Sequence, residues 1–324
     1  RGNGGLSCYG SIVSPTNLGS GGRNVGAGGG SVRMSISGMF RNEGGVLANA
    51  TPVTQHTGAG GSINITAGLM AGAGAIAANS AINVTGSNPG GGGRIALAVT
   101  NEGADFSDYE GQITAYGGRK STTSGGAGTI YLREASQGLY EGSLFVDNDD
   151  LNSLWTEICP TVTDTTVGNV YISRGGLLFI NTNQSLTLSG DWDNKAGFTG
   201  LTDSAVIFAG PAASTSTVYG NTTFSGFICT NGLEKTIRFQ YGVVNSIGAG
   251  GRFVLVGAPD ATNLFLRSTS DGTPSFLNVD PLAEQLVSRV DVKDSDALLG
   301  AEVIAANSRD RGGNVNWKFL SIYP

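Results

Sequence analysis

Asp191, Trp192 and Asp193 form the residue pattern with the clearest potential for chemistry. Glycosidases pair two carboxyl groups as acid and base, and residues two positions apart on a strand lie on one face. On a strand, Asp191 and Asp193 would share a face while Trp192 occupies the other face, where it could stack on a sugar. The pattern predicts a carbohydrate site. Solvated turn acids around a core tryptophan are the alternative.

A second acidic cluster, Asp147, Asp149 and Asp150, is better suited to a metal ion. Calcium takes six to eight oxygen ligands in flexible geometry, which carboxylates on a turn can supply. The cluster lacks EF-hand spacing, and solvated acids are the alternative interpretation. We therefore predict calcium as the possible ion and no other cofactor. A third acidic group contains Asp291, Asp294 and Asp296.

The remaining reactive side chains form no catalytic motif. The single histidine, His56, lies in a short polar segment, and we assign it to a surface turn. Cys8, Cys159 and Cys229 are widely spaced and contain no CxxC pair, which leaves zinc and thioredoxin-type sites without support. One disulfide with a free thiol and three buried thiols both fit this count. These observations predict a protein that is not an enzyme.

The composition indicates a β-rich extracellular protein. Of 324 residues, 53 are glycine and only 14% are charged, against roughly 25% in an average soluble domain. The net charge of −6 argues against nucleic acid, which requires a basic surface. No run of 18 apolar residues occurs, so membrane insertion is not predicted. Because the chain starts at Arg1 without a leader, we expect a targeting signal to have been removed.

The first 150 residues contain a repeat. Four segments begin with glycine and then alternate polar with apolar residues, which is the mark of a strand with one buried face. They cover residues 30–36, 61–66, 93–99 and 128–132, and their leading glycines are 31, 32 and 35 residues apart. A weaker strand follows each one, in residues 45–49, 75–79, 112–116 and 143–147.

A unit of this size corresponds to one turn of a parallel β-helix, whose stacked strands lie roughly 4.8 Å apart. We predict one buried ladder from the first strands and another from the second strands. The first contains Val32, Ile63, Ile95 and Ile130, and the second contains Val46, Ile76, Ile113 and Leu144. Small alanines in the second strands would let the opposite wall approach closely.

Glycine-dense segments lie between the repeats, in residues 19–30, 58–61, 90–93 and 125–128. They are interpreted either as loops at the corners or as extended strands that stack through their backbones. No phosphate-binding glycine motif occurs in them.

After residue 150 the period is less regular, although short strands continue. We therefore divide the chain into a glycine-rich β-solenoid, 1–150, and a continued solenoid or a second β-domain, 151–324. The only window with helical character is 281–288, which predicts one or two helical turns.

Five glycosylation sequons begin at Asn49, Asn64, Asn83, Asn183 and Asn221. Asn64 and Asn83 would face outward if their apolar neighbours face inward, so carbohydrate attachment at Asn64, Asn83 and Asn221 is sterically possible.

Several segments resemble units of secreted bacterial β-helix proteins, namely autotransporter-passenger and haemagglutinin-like adhesins and large glycine-rich surface proteins. The segments are Gly-Ser-Ile-Asn-Ile-Thr-Ala-Gly at 61–68, Gly-Ala-Ile-Ala-Ala-Asn at 74–79, and residues 190–198, 220–224, 290–297 and 312–317. The resemblance implies an extracellular or cell-surface location. It carries over no catalytic residue.

The sequence thus predicts an all-β parallel β-helix, a solenoid with glycine-rich corners and about 30–35 residues per turn in its first half. We expect an extracellular structural or adhesive protein, with self-assembly into a filament as one form of it, whose partner is a head-to-tail copy of itself or a cell-surface polysaccharide. A polysaccharide-binding or polysaccharide-cleaving β-helix protein is the alternative.

Overall fold

The computed structural model describes residues 8–22, 26–52, 56–81, 89–119, 124–151, 153–230, 232–259 and 264–320, and these residues form an all-β structure. The chain divides into two compact units. Unit 1 contains Arg1–Thr166 with Tyr171–Phe179, and unit 2 contains Val167–Val170 with Ile180–Pro324. No membrane-crossing helix exists in the part of the chain that the structure describes, since none there has the required length and apolar character.

Eleven strands precede the division between the units, and three more lie across it. They are β1 (Gly10–Ser11), β2 (Ser31–Arg41), β3 (Gly45–Leu47), β4 (Ser62–Ala71), β5 (Ala75–Ala77), β6 (Arg94–Val99), β7 (Ile113–Thr114), β8 (Thr129–Arg133), β9 (Ser143–Asp147), β10 (Thr156–Ile158), β11 (Val162–Thr163), β12 (Thr166–Val167), β13 (Asn169–Ser173) and β14 (Leu177–Ile180).

The first predicted ladder is confirmed. Strands β2, β4, β6 and β8 pair in parallel and in sequence order, which places Val32 beside Ile63, Ile63 beside Ile95, and Ile95 beside Ile130. Ile63 and Ile95 are fully buried, and Ile130 is 8% exposed. The period-two alternation therefore sets both the inward face and the register of these strands.

The register of the second predicted ladder is confirmed for three of its four members, of which Ile76 is buried and Val46 and Ile113 are partly buried. The parallel strands β3, β5 and β7 place Val46 beside Ile76 and Ile76 beside Ile113. The prediction for Leu144 is wrong, because β9 pairs antiparallel with β8 and Leu144 lies beside Tyr131.

A short reversal of the chain explains this exception. Only residues 134–142 separate β8 from β9, which is enough for a hairpin but too short for a crossover to a parallel strand. The Tyr131 hydroxyl donates to the Leu139 carbonyl at 2.7 Å and accepts from the Gly142 amide at 2.8 Å. The Glu141 carboxylate accepts from the Gly138 amide at 2.7 Å. These bonds hold the reversal closed.

The glycine segments form a seam of directly stacked backbone, as the second of the two interpretations predicted. The amides of Gly61, Gly93 and Gly128 donate to the carbonyls of Ala48, Ala78 and Ala115 at 2.7–2.8 Å. A Cβ placed on Gly61 would lie 1.8 Å from the Gly30 carbonyl oxygen, and one on Gly128 would lie 1.8 Å from that of Gly93. No side chain fits between these backbones, so glycine is required there.

Unit 2 contains the remaining strands. They are β15 (Ser185–Leu188), β16 (Trp192–Asn194), β17 (Gly197–Gly200), β18 (Ala205–Phe208), β19 (Ser214–Tyr219), β20 (Thr222–Thr230), β21 (Lys235–Phe239), β22 (Val244–Val256), β23 (Leu264–Ser268), β24 (Ser275–Val279), β25 (Glu284–Ser288), β26 (Val290–Val292), β27 (Ser295–Asp296), β28 (Val303–Ala306), β29 (Arg309–Asp310) and β30 (Trp317–Leu320).

Two long parallel arrays organise unit 2. One has the order β15-β18-β20-β22-β25-β28-β30, and the other has the order β16-β19-β21-β23-β26-β29. Large aromatic side chains replace the small residues of unit 1 in this core. Phe227 stacks on Phe208 with ring centroids 4.6 Å apart, and it is the register partner of Phe253 on β22.

The helix predicted in residues 281–288 is absent, and this prediction is wrong. The Asp280 carboxylate accepts from the Leu282 amide at 2.8 Å, and the Asp280 carbonyl accepts from the Ala283 amide at 2.9 Å. This turn leads directly into β25, which pairs in parallel with β22 over five residues. The side-chain cap and the sheet pairing therefore override a weak helical preference.

The seam predicts opposite effects for the same substitution at two equivalent glycines. Gly61→Ala is expected to lower the free energy of unfolding by about 3 kcal/mol, because its Cβ would overlap main-chain atoms. Gly30→Ala, whose Cβ meets nothing within 4 Å, is expected to raise it by up to about 1 kcal/mol by restricting the unfolded chain. Urea unfolding followed by circular dichroism measures both values. Equal effects would show that the seam is not closely packed.

The inward and outward faces of β4 give a second test. Ile63→Asp is expected to lower the free energy of unfolding by about 4 kcal/mol or more, because the carboxylate would be buried without a partner. Asn64→Asp should be nearly silent, since Asn64 is only partly buried and lies beside Arg33. Thermal melts compare the two variants. Coincident melting curves would refute the assignment of the faces.

Candidate functional site

Trp192 of the predicted carbohydrate site lies in the core of unit 2. It is fully buried, and its ring meets Phe198 edge-on with ring centroids 4.9 Å apart. Its Nε1 donates to the Thr222 hydroxyl at 3.1 Å. Trp192 therefore presents no ring face on which a sugar could stack.

The two acids beside Trp192 have separate structural contacts. The Asp191 carboxylate accepts from the Thr217 amide at 2.7 Å, and the Asp191 amide donates to the Asn169 side chain at 2.7 Å. Asp193 accepts from the exposed Lys195 ammonium at 2.5 Å. Asp191 thus joins neighbouring strands, while Asp193 forms a local ion pair.

The predicted calcium acids gather around an arginine. Arg174 donates to the two Asp147 oxygens from Nε at 2.7 Å and from Nη2 at 3.0 Å, and its Nη1 lies 3.4 Å from Asp149. Asp149 and Asp150 have φ values of 54° and 58°, a left-handed conformation that aspartate tolerates in turns. The guanidinium supplies the positive charge that a calcium ion would otherwise provide. The Asp147 contacts in turn raise the pKa of Arg174 above its ordinary value.

One member of the third acidic group, Asp291, is also bound to arginines. Asp291 is 1% exposed, and its two carboxylate oxygens accept from Arg267 at 2.6 Å and from Arg311 at 2.8 Å. The Asp294 carboxylate accepts from the Gly272 amide at 2.8 Å. A buried carboxylate needs such partners, so these acids stabilise the last strands of unit 2.

The glycosylation candidates differ in accessibility. Asn64 is partly buried and donates to the Ser14 hydroxyl at 3.0 Å. Asn221 is exposed, and its side-chain oxygen accepts from the Val244 amide at 3.2 Å. Asn83 lies outside the described residues. Asn221 is therefore the more accessible of the two described candidates.

A cluster that sequence spacing could not indicate lies in unit 1. Cys8, Glu157 and Cys159 are the only described residues whose potential metal-ligating atoms come together as a group of three, within 4.8 Å of one another. The two Sγ atoms lie 2.8 Å apart, and the Cys8 thiol also lies 3.1 Å from the Glu157 carbonyl. The two cysteines are 151 positions apart, so only the fold brings them together.

The two thiols have different electrostatic environments. Burial, together with the hydrogen bond to Cys159 and the charge there, raises the pKa of the Cys8 thiol to about 12. Burial also acts to raise the pKa of Cys159, but hydrogen bonds from Cys8 and Thr161 outweigh this effect and hold it below its ordinary value. Of the two thiols, Cys159 therefore has the lower pKa.

This cluster forms part of the wall of a cavity of about 370 Å³, which is lined largely by seam glycines. His56 also lines the cavity, from a bend with a φ of 50°. Arg94 donates from Nε to the Tyr9 carbonyl and from Nη1 to the Thr129 hydroxyl, both at 3.1 Å. Arg94 thereby connects the segment around Tyr9 to the strands below it.

The arginine contacts give a test of the calcium prediction. Asp147→Asn is expected to lower the free energy of unfolding by about 1 kcal/mol, because it weakens a two-bond pair that is partly exposed. The loss should be the same with and without added calcium chloride in thermal melts. If calcium stabilises the natural chain and Asp147→Asn abolishes that effect, the acids bind calcium and Arg174 is displaced.

No protein-family model, curated protein or solved structure matches this chain. Its function is therefore inferred from the contacts of its own residues.

Proposed function

We propose that this chain is an extracellular structural or adhesive protein that folds as a parallel β-helix and associates with further copies of itself. The free edge of β2 is the site of association. The observation that carries the proposal is Gly30, a seam glycine directly before the outer strand β2 at which no described residue lies close enough to require glycine.

The order of the strands supports a β-helix. Along the chain of unit 1, strands of the first parallel set (β2, β4, β6) alternate with strands of the second set (β3, β5, β7). Each repeat therefore contributes one strand to each set, and the next repeat lies on it in register. This is the arrangement that a winding chain produces.

Gly30 occupies the same position in its repeat as Gly61, Gly93 and Gly128. At each of the other three, a Cβ would lie within 2.0 Å of the carbonyl oxygen of the preceding glycine in the ladder. A Cβ on Gly30 would meet no atom of the described residues within 4 Å, and its φ is not in the left-handed region. At this position a residue without a Cβ is required only when a further strand stacks on β2.

The inward residues of β2 also lack the cover that their equivalents have. Val32 is partly exposed, although its ladder partners Ile63 and Ile95 are fully buried. Met39 on β2 and Leu47 on β3 are 54% and 58% exposed. An added strand would remove this apolar surface from water, which favours association.

The outer edge of β2 has backbone groups that can pair with a further strand. The Ser62 amide donates to the Gly30 carbonyl at 3.0 Å, so the polar groups of Gly30 and of alternate residues after it face β4. The backbone N–H and C=O groups of Arg33 and Ser35 point to the edge of β2 that no other described strand covers. Such an edge can pair with another chain by strand addition.

The second surface needed for repeated association is present in unit 2. There β29 and β30 are the last described strands of the two parallel arrays. A contact between this edge of one copy and the β2 edge of another is heterologous, and unless rotation closes it into a ring it produces a filament.

Polysaccharide binding or cleavage at Asp191, Trp192 and Asp193 has less support. The ring of Trp192 is buried, and the Asp191 carboxylate is bound to the backbone of a neighbouring strand. These contacts stabilise the fold, and they do not form an open sugar subsite.

Gly30→Ala tests the association without weakening the monomer. The added methyl group is open to solvent in one copy but would overlap the carbonyl of a stacked strand, as it would at Gly61. Sedimentation velocity over a wide concentration range should therefore show association for the natural chain and a monomer for Gly30→Ala. Gly232→Ala, also at a glycine with open space, is the control and should associate normally.

Two results would count against the proposal. A natural chain that remains monomeric at all concentrations would show that copies of this chain do not cover β2. Association that persists unchanged in Gly30→Ala would place the contact elsewhere. Unfolding curves of each variant in dilute solution establish that the monomer is intact.

A further inference from the structure

The two sulfur atoms of the cluster in unit 1 are closer than unbonded thiols usually lie. Cys8 Sγ and Cys159 Sγ are 2.8 Å apart, and Cys159 Sγ also lies 3.0 Å from the Cys8 carbonyl oxygen. Cys159 is buried, while Cys8 is partly exposed at the edge of the cavity. One sulfur is thus accessible to a reagent from solution, and the other lies directly behind it.

The backbone holds the two cysteines side by side. Strand β1 pairs with β11 in parallel, with Gly10 beside Val162 and Ser11 beside Thr163. The Gly10 amide donates to the Thr161 carbonyl at 3.1 Å. Beyond the paired residues, the Thr161 hydroxyl donates to the Cys8 carbonyl. The chain directions therefore bring the two thiols together without rearrangement of the strands.

We propose that Cys8 and Cys159 are a redox pair that closes to a disulfide and clips β1 to β11. This inference does not depend on the proposed self-association. The pairing β1–β11 covers only two residues on each strand, so a covalent link there would restrain a segment that few backbone bonds hold.

A small-molecule disulfide supplies the oxidising equivalents. One thiolate of the pair attacks a sulfur of that disulfide and displaces the first small thiolate. The second protein sulfur then attacks the mixed disulfide and displaces the other one. The two protein thiol protons end on the two displaced thiolates, so the pair is oxidised by two electrons and the reagent is reduced to two thiols.

The third cysteine provides an internal contrast. Cys229 is fully buried in β20, and this burial raises the pKa of its thiol to about 12. Its sulfur is therefore shielded from a reagent in solution, whereas Cys8 is partly exposed. We therefore expect one disulfide and one free thiol in the oxidised chain.

A zinc site is the competing use of the same residues. Two thiolates on a tetrahedral zinc ion with bonds of about 2.3 Å lie roughly 3.8 Å apart, which is wider than the 2.8 Å seen between these sulfurs. The spacing thus favours a sulfur–sulfur bond over a shared metal.

Closure of the clip has a consequence for the cavity. The segment that begins at Cys8 contributes Tyr9 and residues 17–22 to its wall, which also includes Gly61, Gly93 and Gly128. A disulfide would fix the start of this segment, and reduction would leave it held by hydrogen bonds such as that between Arg94 and the Tyr9 carbonyl. Access to the cavity would then respond to the redox state.

Peptide mapping of the natural chain tests the pairing without any substitution. The folded protein is treated with oxidised glutathione, alkylated in denaturant without reductant, and digested with trypsin. We expect tryptic peptides 2–23 and 134–174 to be joined until reduced, and peptide 196–235, which contains Cys229, to be alkylated. Separate alkylation of all three peptides, or any link to Cys229, would overturn the proposal.

Thermal melts with and without reductant measure the effect on stability. The oxidised chain is expected to melt about 5–10 °C higher than the reduced chain, since the link closes a long loop. Cys8→Ser and Cys159→Ser should each abolish this difference, whereas Cys229→Ala should keep it. A stabilisation that instead requires zinc and is lost with a chelator would assign the cluster to a metal.

Discussion

The contact between glycine backbones is the constraint on which unit 1 depends. The amides of Gly61 and Gly93 bond directly to the carbonyls of Ala48 and Ala78, so the walls of the core meet at the distance of a hydrogen bond. That distance excludes side chains from the seam and allows only small ones beside it. The large residues Ile63, Ile65 and Ile95 follow these glycines on β4 and β6 and form the core. Low charge and high glycine content are thus consequences of the packing.

The sequence was sufficient for the repeating part of the fold, because in-register stacking repeats one local pattern. The leading glycine and the period-two alternation together determined which residues of β2, β4, β6 and β8 are neighbours. The prediction failed where a single event interrupts the pattern. Tyr131 and Glu141 stabilise the reversal before β9 through side-chain hydrogen bonds that are not part of the repeat. The repeat pattern of the sequence therefore does not predict them. The turn at Asp280 is a second case of the same kind.

The candidate sites were less predictable, for a different reason. A sequence shows which carboxylates are close along the chain but not which cation will meet them in space. Asp147 pairs with Arg174, which is 27 positions away, and Asp291 pairs with Arg267 on β23 and with Arg311, which directly follows β29. These pairs place a positive charge beside Asp147 and Asp291 that the positions of the acids in the sequence do not show. The contact between Cys8 and Cys159 is even harder to predict from the sequence, since it requires the pairing of β1 with β11.

In a parallel stack each strand makes the same backbone contacts with the next, so these contacts do not themselves limit the number of strands. Each strand that pairs with one neighbour has the same kind of backbone N–H and C=O groups on its other side. The hydrogen bonds that stabilise the interior of the sheet would therefore also favour pairing at its edge. The partner that β2 favours can be argued from its exposed cation. Pairing β2 with a second β2 would bring two copies of Arg33 into one strand pair, where like charges are unfavourable. Within unit 1, Arg33 instead lies beside the neutral Asn64. In the proposed self-association, a different edge is therefore the better partner for β2, because a contact between different edges would leave each added copy with the same open strand.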